Sequence, residues 1–498
     1  MADMLLPEGV NIAHPEKLFI GGQWVSPAQG GTIEVVSPNS EQVVARVGEA
    51  GNADMDAAVA AARDAFDNGP WPQMSVAERG AILRSMSAIL RRRQDELVAA
   101  YVAQVGALIT SAPFMIGMGS GTLEAYASIG DSFPFVKEEP SSLPDTVALL
   151  IREPVGVVAA IAPWNAPYSI MTQKIAPALI AGCTVIMKPS PETPLEAYIL
   201  AEAAVEAGVP AGVLNLVPSQ REAADHLVCN HGVDKVSFTG STVAGRRIAS
   251  VCGERIARVT LELGGKSAAI VTEDYPVAAA AKVLARTITV MSGQVCAMLS
   301  RAIVPAKMHD ELAEAIAAEM KTVKIGYSTD PATEMGPVAM KRQLERIEGY
   351  IAKGKAEGAD LLQGGGRPSH LNRGYFIEPT LFGNVDNKST IAQEEIFGPV
   401  LSLIKADDLD HAVALANDSL YGLNGSVLST DADLVYRVAR RMRTGNIGQN
   451  GMKADFNLPF GGFKQSGIGR EGGPEGMMPY VETKTILVDR RPEAIAAE

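Results

Sequence analysis

The chain has 498 residues, 47% of them hydrophobic and 20% charged, with a formal net charge of −13. That balance buries ample core without disulfides or metals and excludes disorder by composition. The acidity, and the absence of any basic run beyond Arg91-Arg92-Arg93, exclude a nucleic-acid binder.

Length alone predicts two or three domains at about 100–200 residues each. Residues 15–50 predict a small β region: strands at 17–20, 34–36 and 43–45, with a Gly21-Gly22 turn after the first. Ala-, Leu- and Arg-rich patterns predict helices over 53–67, 76–106 and 119–130. From 148 the character changes. Strands are predicted at 157–161, 184–187, 213–217, 235–238 and 258–261, with helices at 167–181, 193–207, 219–229 and 241–251 between them. Such a βαβαβαβ series predicts a parallel doubly wound sheet with ligands at the carboxyl ends of its strands. A second α/β series runs from 265 to about 465, with strands at 268–271, 301–304, 401–405 and 446–447. Two strand-like segments, 146–152 and 483–489, lie at the margins; each either pairs within the chain or offers an edge to another subunit. No apolar run reaches the roughly 18 residues needed to span a bilayer, and the N-terminus lacks a leader pattern.

Four cysteines, at 183, 229, 252 and 296, form no Cys-x-x-Cys, which predicts neither a disulfide framework nor a metal site and fits a reducing, cytoplasmic compartment. Cys183 and Cys252 fall in apolar patterns and read as small hydrophobes. Cys296 is flanked by glycine and glutamine in Ser292-Gly293-Gln294-Val295-Cys296, which predicts a loop or helix start that stabilises a thiolate. None of the six histidines stands in a recognisable catalytic setting for a cysteine hydrolase. Gly467-Ile-Gly469-Arg-Glu-Gly472 fits a dinucleotide fingerprint but has no βαβ unit after it, and Gly265-Lys266-Ser267 lacks the first glycine of a P-loop, because position 260 is threonine. The stretch from Phe238 to Gly245 follows a strand and opens a helix, so it serves either as an anion-binding turn or as a turn whose glycines answer only to geometry.

Seven motifs together resemble the aldehyde dehydrogenase superfamily, in its order and across nearly the whole chain. They are Pro163-Trp-Asn-Ala-Pro167, Lys188-Pro-Ser190, the Phe238-to-Gly245 turn, Leu261-Glu-Leu-Gly-Gly-Lys266, Gly293-Gln-Val-Cys296, Glu394-Glu-Ile-Phe-Gly-Pro399 and Pro459-Phe-Gly-Gly-Phe-Lys464. The spacing from Glu262 to Cys296 also resembles the family's. The resemblance implies an α/β chain with two doubly wound Rossmann-like domains and a small β oligomerisation element. Residues 1–131 and 153–263 would form the dinucleotide-binding domain, 264–470 the catalytic domain, and 132–152 with 471–498 the oligomerisation element of a dimer or tetramer.

It further implies oxidation of an aldehyde to its acid with NAD, or NADP, as hydride acceptor and no metal. Cys296 would attack the aldehyde, Asn165 would stabilise the oxyanion, and Glu262 would activate the hydrolytic water. Glu262 separates the chain from relatives that pass the acyl group to coenzyme A. Pro163 and Trp164 would form a cofactor wall, Lys188 would meet the adenosine ribose, Gly240, Ser241 and Gly245 would shape the pyrophosphate turn, and Glu395 and Phe397 would hold the nicotinamide ribose. Lys174 matches a family lysine near the cofactor. Two departures stand out: Pro191 occupies the position where many NAD-preferring members carry glutamate, with Glu192 next, and Ser219-Gln-Arg-Glu-Ala223 replaces glycines beside the adenine. Ala166, Ile170, Gln173, Val295, Ala297 and Phe460 match the aldehyde tunnel. No arginine stands among them, which predicts an apolar aliphatic, terpenoid or aromatic aldehyde.

Overall fold

The computed structural model describes residues 5–493, so the ends of the expected first and last segments, 1–4 and 494–498, lie outside the described residues. Two large sheets carry the chain. In the first, the strands run in the order Gly467–Ile468, Arg258–Glu262, Lys235–Thr239, Val157–Ile161, Thr184–Lys188, Leu214–Leu216, Leu18–Ile20, Gln23–Val25. The five from Arg258–Glu262 to Leu214–Leu216 are parallel. Every residue of Val157–Ile161 is buried, as a β-branched and alanine run covered by helices on both faces must be. The chain starts at Val157–Ile161, winds outward through Thr184–Lys188 to Leu214–Leu216, then crosses to the other side for Lys235–Thr239 and Arg258–Glu262. A topological switch point therefore lies between the carboxyl ends of Val157–Ile161 and Lys235–Thr239.

The helix Pro167–Ala181 has proline at its start and Gly182 in the left-handed region at its end, which fixes both of its boundaries. The sequence places that helix and the parallel strands within two residues. It misplaces the N-terminal region. Leu18–Ile20 and Gln23–Val25 do not form a separate β unit; they extend the first sheet, Leu18–Ile20 antiparallel to Leu214–Leu216 and Gln23–Val25 antiparallel to Leu18–Ile20. Only Gly31–Val36 and Val43–Glu49 stand apart as a two-stranded sheet. The expected helix over 76–106 breaks at Arg93 into Val76–Arg92 and Gln94–Val105. There the Arg93 guanidinium is anchored by Glu96, Glu202 and the Asn11 carbonyl, contacts that a helix pattern cannot reveal.

The second sheet orders Asp360–Gln363, Thr380–Gly383, Val400–Ala406, Leu299–Pro305, Ser267–Val271, Gly425–Leu428 and Gly448–Gln449, parallel apart from its first strand. The strand expected at 446–447 lies two residues later. The two marginal segments pair with each other: Val481–Val488 runs antiparallel to Val147–Pro154, which also pairs with Val136–Glu139. This three-stranded sheet leaves Ile486 and Leu487 exposed. Among the described residues no helix is long and apolar enough to cross a membrane.

Candidate active site

A cavity of about 570 Å³ opens at the switch point. One wall carries Pro163, Trp164 and Asn165 from the loop after Val157–Ile161, and Thr239, Gly240 and Ser241 from the turn after Lys235–Thr239. The opposite wall carries Cys296, Glu395, Phe397 and Tyr421 from the second sheet, with Arg342, Gln343 and Arg346 from the helix Lys341–Ala356. Eight of the eleven expected site residues line it. Glu262, Lys188 and Gly245 do not.

Ser241 caps the helix Thr242–Glu254, its hydroxyl accepting the Ala244 N–H at 3.3 Å. The N–H groups of Thr242 and Val243 have no partner among the described residues, and both residues line the cavity. A helix start of this kind suits a pyrophosphate. Gly245 acts one turn further in: a Cβ there would meet the Leu263 side chain at 2.5 Å, so glycine lets this helix approach the cavity wall that Leu263 forms. Lys188 sits at the end of the adjacent strand. Burial pushes its ammonium down to about 8, against the opposing pull of Glu192.

Glu395 is half-buried, accepts the Gly265 N–H at 3.0 Å, and desolvation pushes its carboxyl up to about 7. Its segment is held from the helix Lys341–Ala356. Gln343 donates to the carbonyls of Ile396 and Phe397 at 3.0 and 2.8 Å, and Arg346 donates to that of Glu395 at 2.7 Å. Phe397 adopts a left-handed backbone, φ +60°, and stands edge-on to Trp164 at 5.2 Å across the crevice. Sequence reasoning missed Gln343 and Arg346. An exposed amphipathic helix is all that their neighbourhood displays before folding.

Cys296 follows three left-handed residues, Met291, Ser292 and Gly293. A Cβ on Gly293 would fall 2.1 Å from the Gly398 carbonyl carbon, so this position tolerates only glycine. Ser292 donates to Gly336 O at 2.7 Å, and the Gln294 amide spans Ala339 N–H and Met291 O. Asn165 is tied to the same loop: its amide donates to Gln294 O at 2.9 Å, while its carbonyl accepts from Tyr101. The expectation of a stabilised thiolate is not met. Burial, then the charges of Glu395 and Glu262, push the Cys296 thiol up to about 12. Around it lie Ala297, Leu423, Phe460, Val295, Met452 and Phe456.

Glu262 ends its strand just behind the wall formed by Leu263. Both carboxylate oxygens are buried without a hydrogen-bond partner among the described residues. Burial and the neighbouring Glu471 hold this acid well above the usual carboxylate range, while Lys174 and Arg470 oppose the shift. Lys174 does not reach the cofactor wall. It is fully buried and pairs with Glu471 at 2.6 Å.

A second cavity of about 660 Å³ shares Met452 with the surroundings of Cys296 and is walled by Leu108, Phe114, Met115, Val290 and Met291. Its rim includes Arg286, paired with Glu334 at 2.8 Å. Of the residues matched to the tunnel, Ile170 lines the first cavity, Val295, Ala297 and Phe460 pack beside Cys296, Gln173 is buried, and Ala166 caps the following helix.

The model of the aldehyde dehydrogenase family matches residues 24–486. The chain belongs to that family. It is 44% identical to the geranial dehydrogenase of Castellaniella defragrans, over 95% of this chain and 98% of that protein. It resembles the Mycobacterium tuberculosis aldehyde dehydrogenase solved with NAD+ (TM-score 0.92, 43% identity, 96% and 99% of the two chains). It also resembles the Staphylococcus aureus betaine aldehyde dehydrogenase solved with NAD+ (TM-score 0.94, 34% identity, 97% and 96%). The two Rossmann-like sheets are therefore this family's fold.

Two outcomes test the electrostatics. In the protein without dinucleotide, alkylation of Cys296 by iodoacetamide, followed by peptide mass spectrometry, is expected to rise about tenfold per pH unit above neutrality without a plateau. Glu262→Gln, which removes a charge opposing the thiolate, should shift that curve to lower pH. A plateau near neutral pH in the unaltered protein would contradict this environment. Second, Lys174→Met strands Glu471 beside Glu262, and urea denaturation should register a loss of about 3–5 kcal/mol. A loss below about 1 kcal/mol would show that the pair is not holding a buried charge.

Proposed function

We propose that this aldehyde dehydrogenase oxidises an apolar aliphatic, terpenoid or aromatic aldehyde to its carboxylic acid, with NAD+ as hydride acceptor. The observation that carries the reading is that Cys296 and Asn165 line the switch crevice while the unpartnered Glu262 carboxyl, buried behind its wall, bears on the Cys296 thiol. The crevice fits a dinucleotide. Free N–H groups of the helix start face the pyrophosphate position, a buried lysine ends one strand, and Glu395 lies at the far wall. Relatives of known structure bind NAD+ in the same fold.

The Cys296 sulfur, once deprotonated, forms a bond to the aldehyde carbon, and the carbonyl electrons move onto oxygen. The second N–H of the Asn165 amide, whose first is spent on Gln294 O, and the Cys296 N–H receive that oxyanion. A donor of this kind contributes roughly 2.7–4 kcal/mol to the transition state. The helix start at Thr242 and the Glu395 wall would hold NAD+, which would accept the hydride from the substrate carbon as the oxyanion reforms the carbonyl of a Cys296 thioester. Glu262 then takes a proton from water, the hydroxide adds to the thioester carbon, and the Cys296 thiolate departs with the acid released. The raised affinity of Glu262 for protons suits it to this step, because a base too acidic to hold a proton removes one poorly.

The apolar surroundings of Cys296 and the Leu, Phe and Met walls of the second cavity support a hydrophobic substrate. The name of the Castellaniella relative, a geranial dehydrogenase, points the same way. Arg286 sits on that cavity's rim already engaged with Glu334, so it offers no free clamp for a substrate carboxylate. We also propose that the exposed strand Val481–Val488 pairs subunits into a dimer or tetramer, that residues 1–131 with 153–263, and 264–470, act as dinucleotide-binding and catalytic domains, and that the free cysteines suit the cytoplasm.

Incubation with C10 terpenoid, long-chain and aromatic aldehydes plus NAD+ should produce NADH, and Cys296→Ala should abolish it. Glu262→Gln should accumulate a covalent acyl adduct by intact-protein mass spectrometry while turnover falls by about 10²–10⁴. Full turnover by Cys296→Ala, or a Glu262→Gln enzyme with unchanged turnover and no adduct, would sink the assignments.

A further inference from the structure

An ion pair lies at the edge of the crevice, beside the strand that ends at Lys188. Glu192 follows the strand that ends at Lys188, and its Oε1 lies 2.5 Å from Nη1 of Arg342, on the helix Lys341–Ala356 of the opposite wall. The other oxygen of Glu192 accepts from the Ser190 hydroxyl. Arg342 thus differs from its helix neighbours. Gln343 and Arg346 are committed to backbone carbonyls of their own wall, whereas Arg342 lines the cavity and, among the described residues, engages only the Glu192 carboxylate. Lys188 has no hydrogen-bond partner among the described residues, so one carboxylate faces two cations here.

We propose that the Glu192–Arg342 pair selects the dinucleotide, Arg342 being a latent 2′-phosphate ligand that Glu192 neutralises. This rests on the reading that the crevice binds a nicotinamide dinucleotide. With the carboxylate in place, a 2′-phosphate meets a like charge and an occupied guanidinium, and NAD+ is preferred. Without it, the guanidinium is free to take phosphate oxygens through two parallel N–H bonds. The pair is half open to solvent, with Arg342 66% exposed and Glu192 22%. Its own attraction is therefore weak, and the choice rests on which anion reaches the guanidinium. Glu192 in this way serves a position where Pro191 has displaced the usual glutamate by one residue.

The test is a titration of NAD+ and NADP+ against the full-length protein in the absence of aldehyde, read by quenching of tryptophan fluorescence, since Trp164 lines the crevice, and by calorimetry. For Glu192→Gln, the ratio of the NADP+ to the NAD+ dissociation constant should fall by about tenfold or more, the scale of one charge-assisted phosphate contact. Adding Arg342→Ala should erase that fall. A Glu192→Gln protein with an unchanged ratio, or a gain for NADP+ that survives Arg342→Ala, overturns the proposal. Should the unaltered protein bind neither dinucleotide, the cofactor reading itself fails; should it bind NAD+ while the ratio stays fixed in the variants, only the selector role fails.

Discussion

The site exists because adjacent parallel strands wind to opposite sides. Val157–Ile161 and Lys235–Thr239 are hydrogen-bonded neighbours, yet the segments leaving their carboxyl ends depart to different faces of the sheet. No single crossover can cover the gap between them. Both strands are wholly buried, so their position is fixed by the core, and the gap is held open by the same packing that stabilises the sheet. The loops of the second sheet then present Cys296 and Glu395 to a slot that is already shaped.

Charge is distributed around that slot against ordinary solvation. Glu262 and Glu471 are buried, Lys174 pairs directly with Glu471, and Glu395 and Glu262 both bear on the Cys296 thiol. Glu471 makes Glu262 harder to ionise, and Glu395 and Glu262 do the same to the Cys296 thiol. Burial and these charges therefore favour the protonated thiol over the thiolate. A cation arriving in the crevice reverses the balance.

Much of this was legible in the sequence, for physical reasons. Fully buried parallel strands are short apolar runs, and helices between them start at proline and stop at glycine, so 157–161 and 167–181 could be read to the residue. Cys296, Asn165 and Glu262 came from resemblance, because each in isolation reads as readily as a small hydrophobe, a turn former or a solvated acid. What stayed hidden depends on contacts between distant segments. The break at Arg93 depends on Glu202, the burial of Lys174 on Glu471, and the support of Glu395 and Phe397 on Gln343 and Arg346. Local sequence also misjudged the thiol. A glycine and a glutamine beside a cysteine do announce a loop, but the charge that the loop meets comes from strands on either side of it.

That loop also shows where folding energy is spent on geometry. Met291 and Ser292 hold left-handed backbones that non-glycine residues adopt at a cost of order 1–3 kcal/mol each. The conformation persists because it is over-determined: Ser292 is bonded to Gly336, Gln294 to Ala339 and Met291, and Tyr101 touches both the Met291 sulfur and the Asn165 carbonyl. These bonds reach the nucleophile loop from segments on both sides of the crevice. The same set fixes the Asn165 amide, whose bond to Gln294 O orients the plane of its remaining N–H. The Cys296 loop and the Asn165 amide are thus positioned by one shared network, and a displacement of either is transmitted to the other through Gln294.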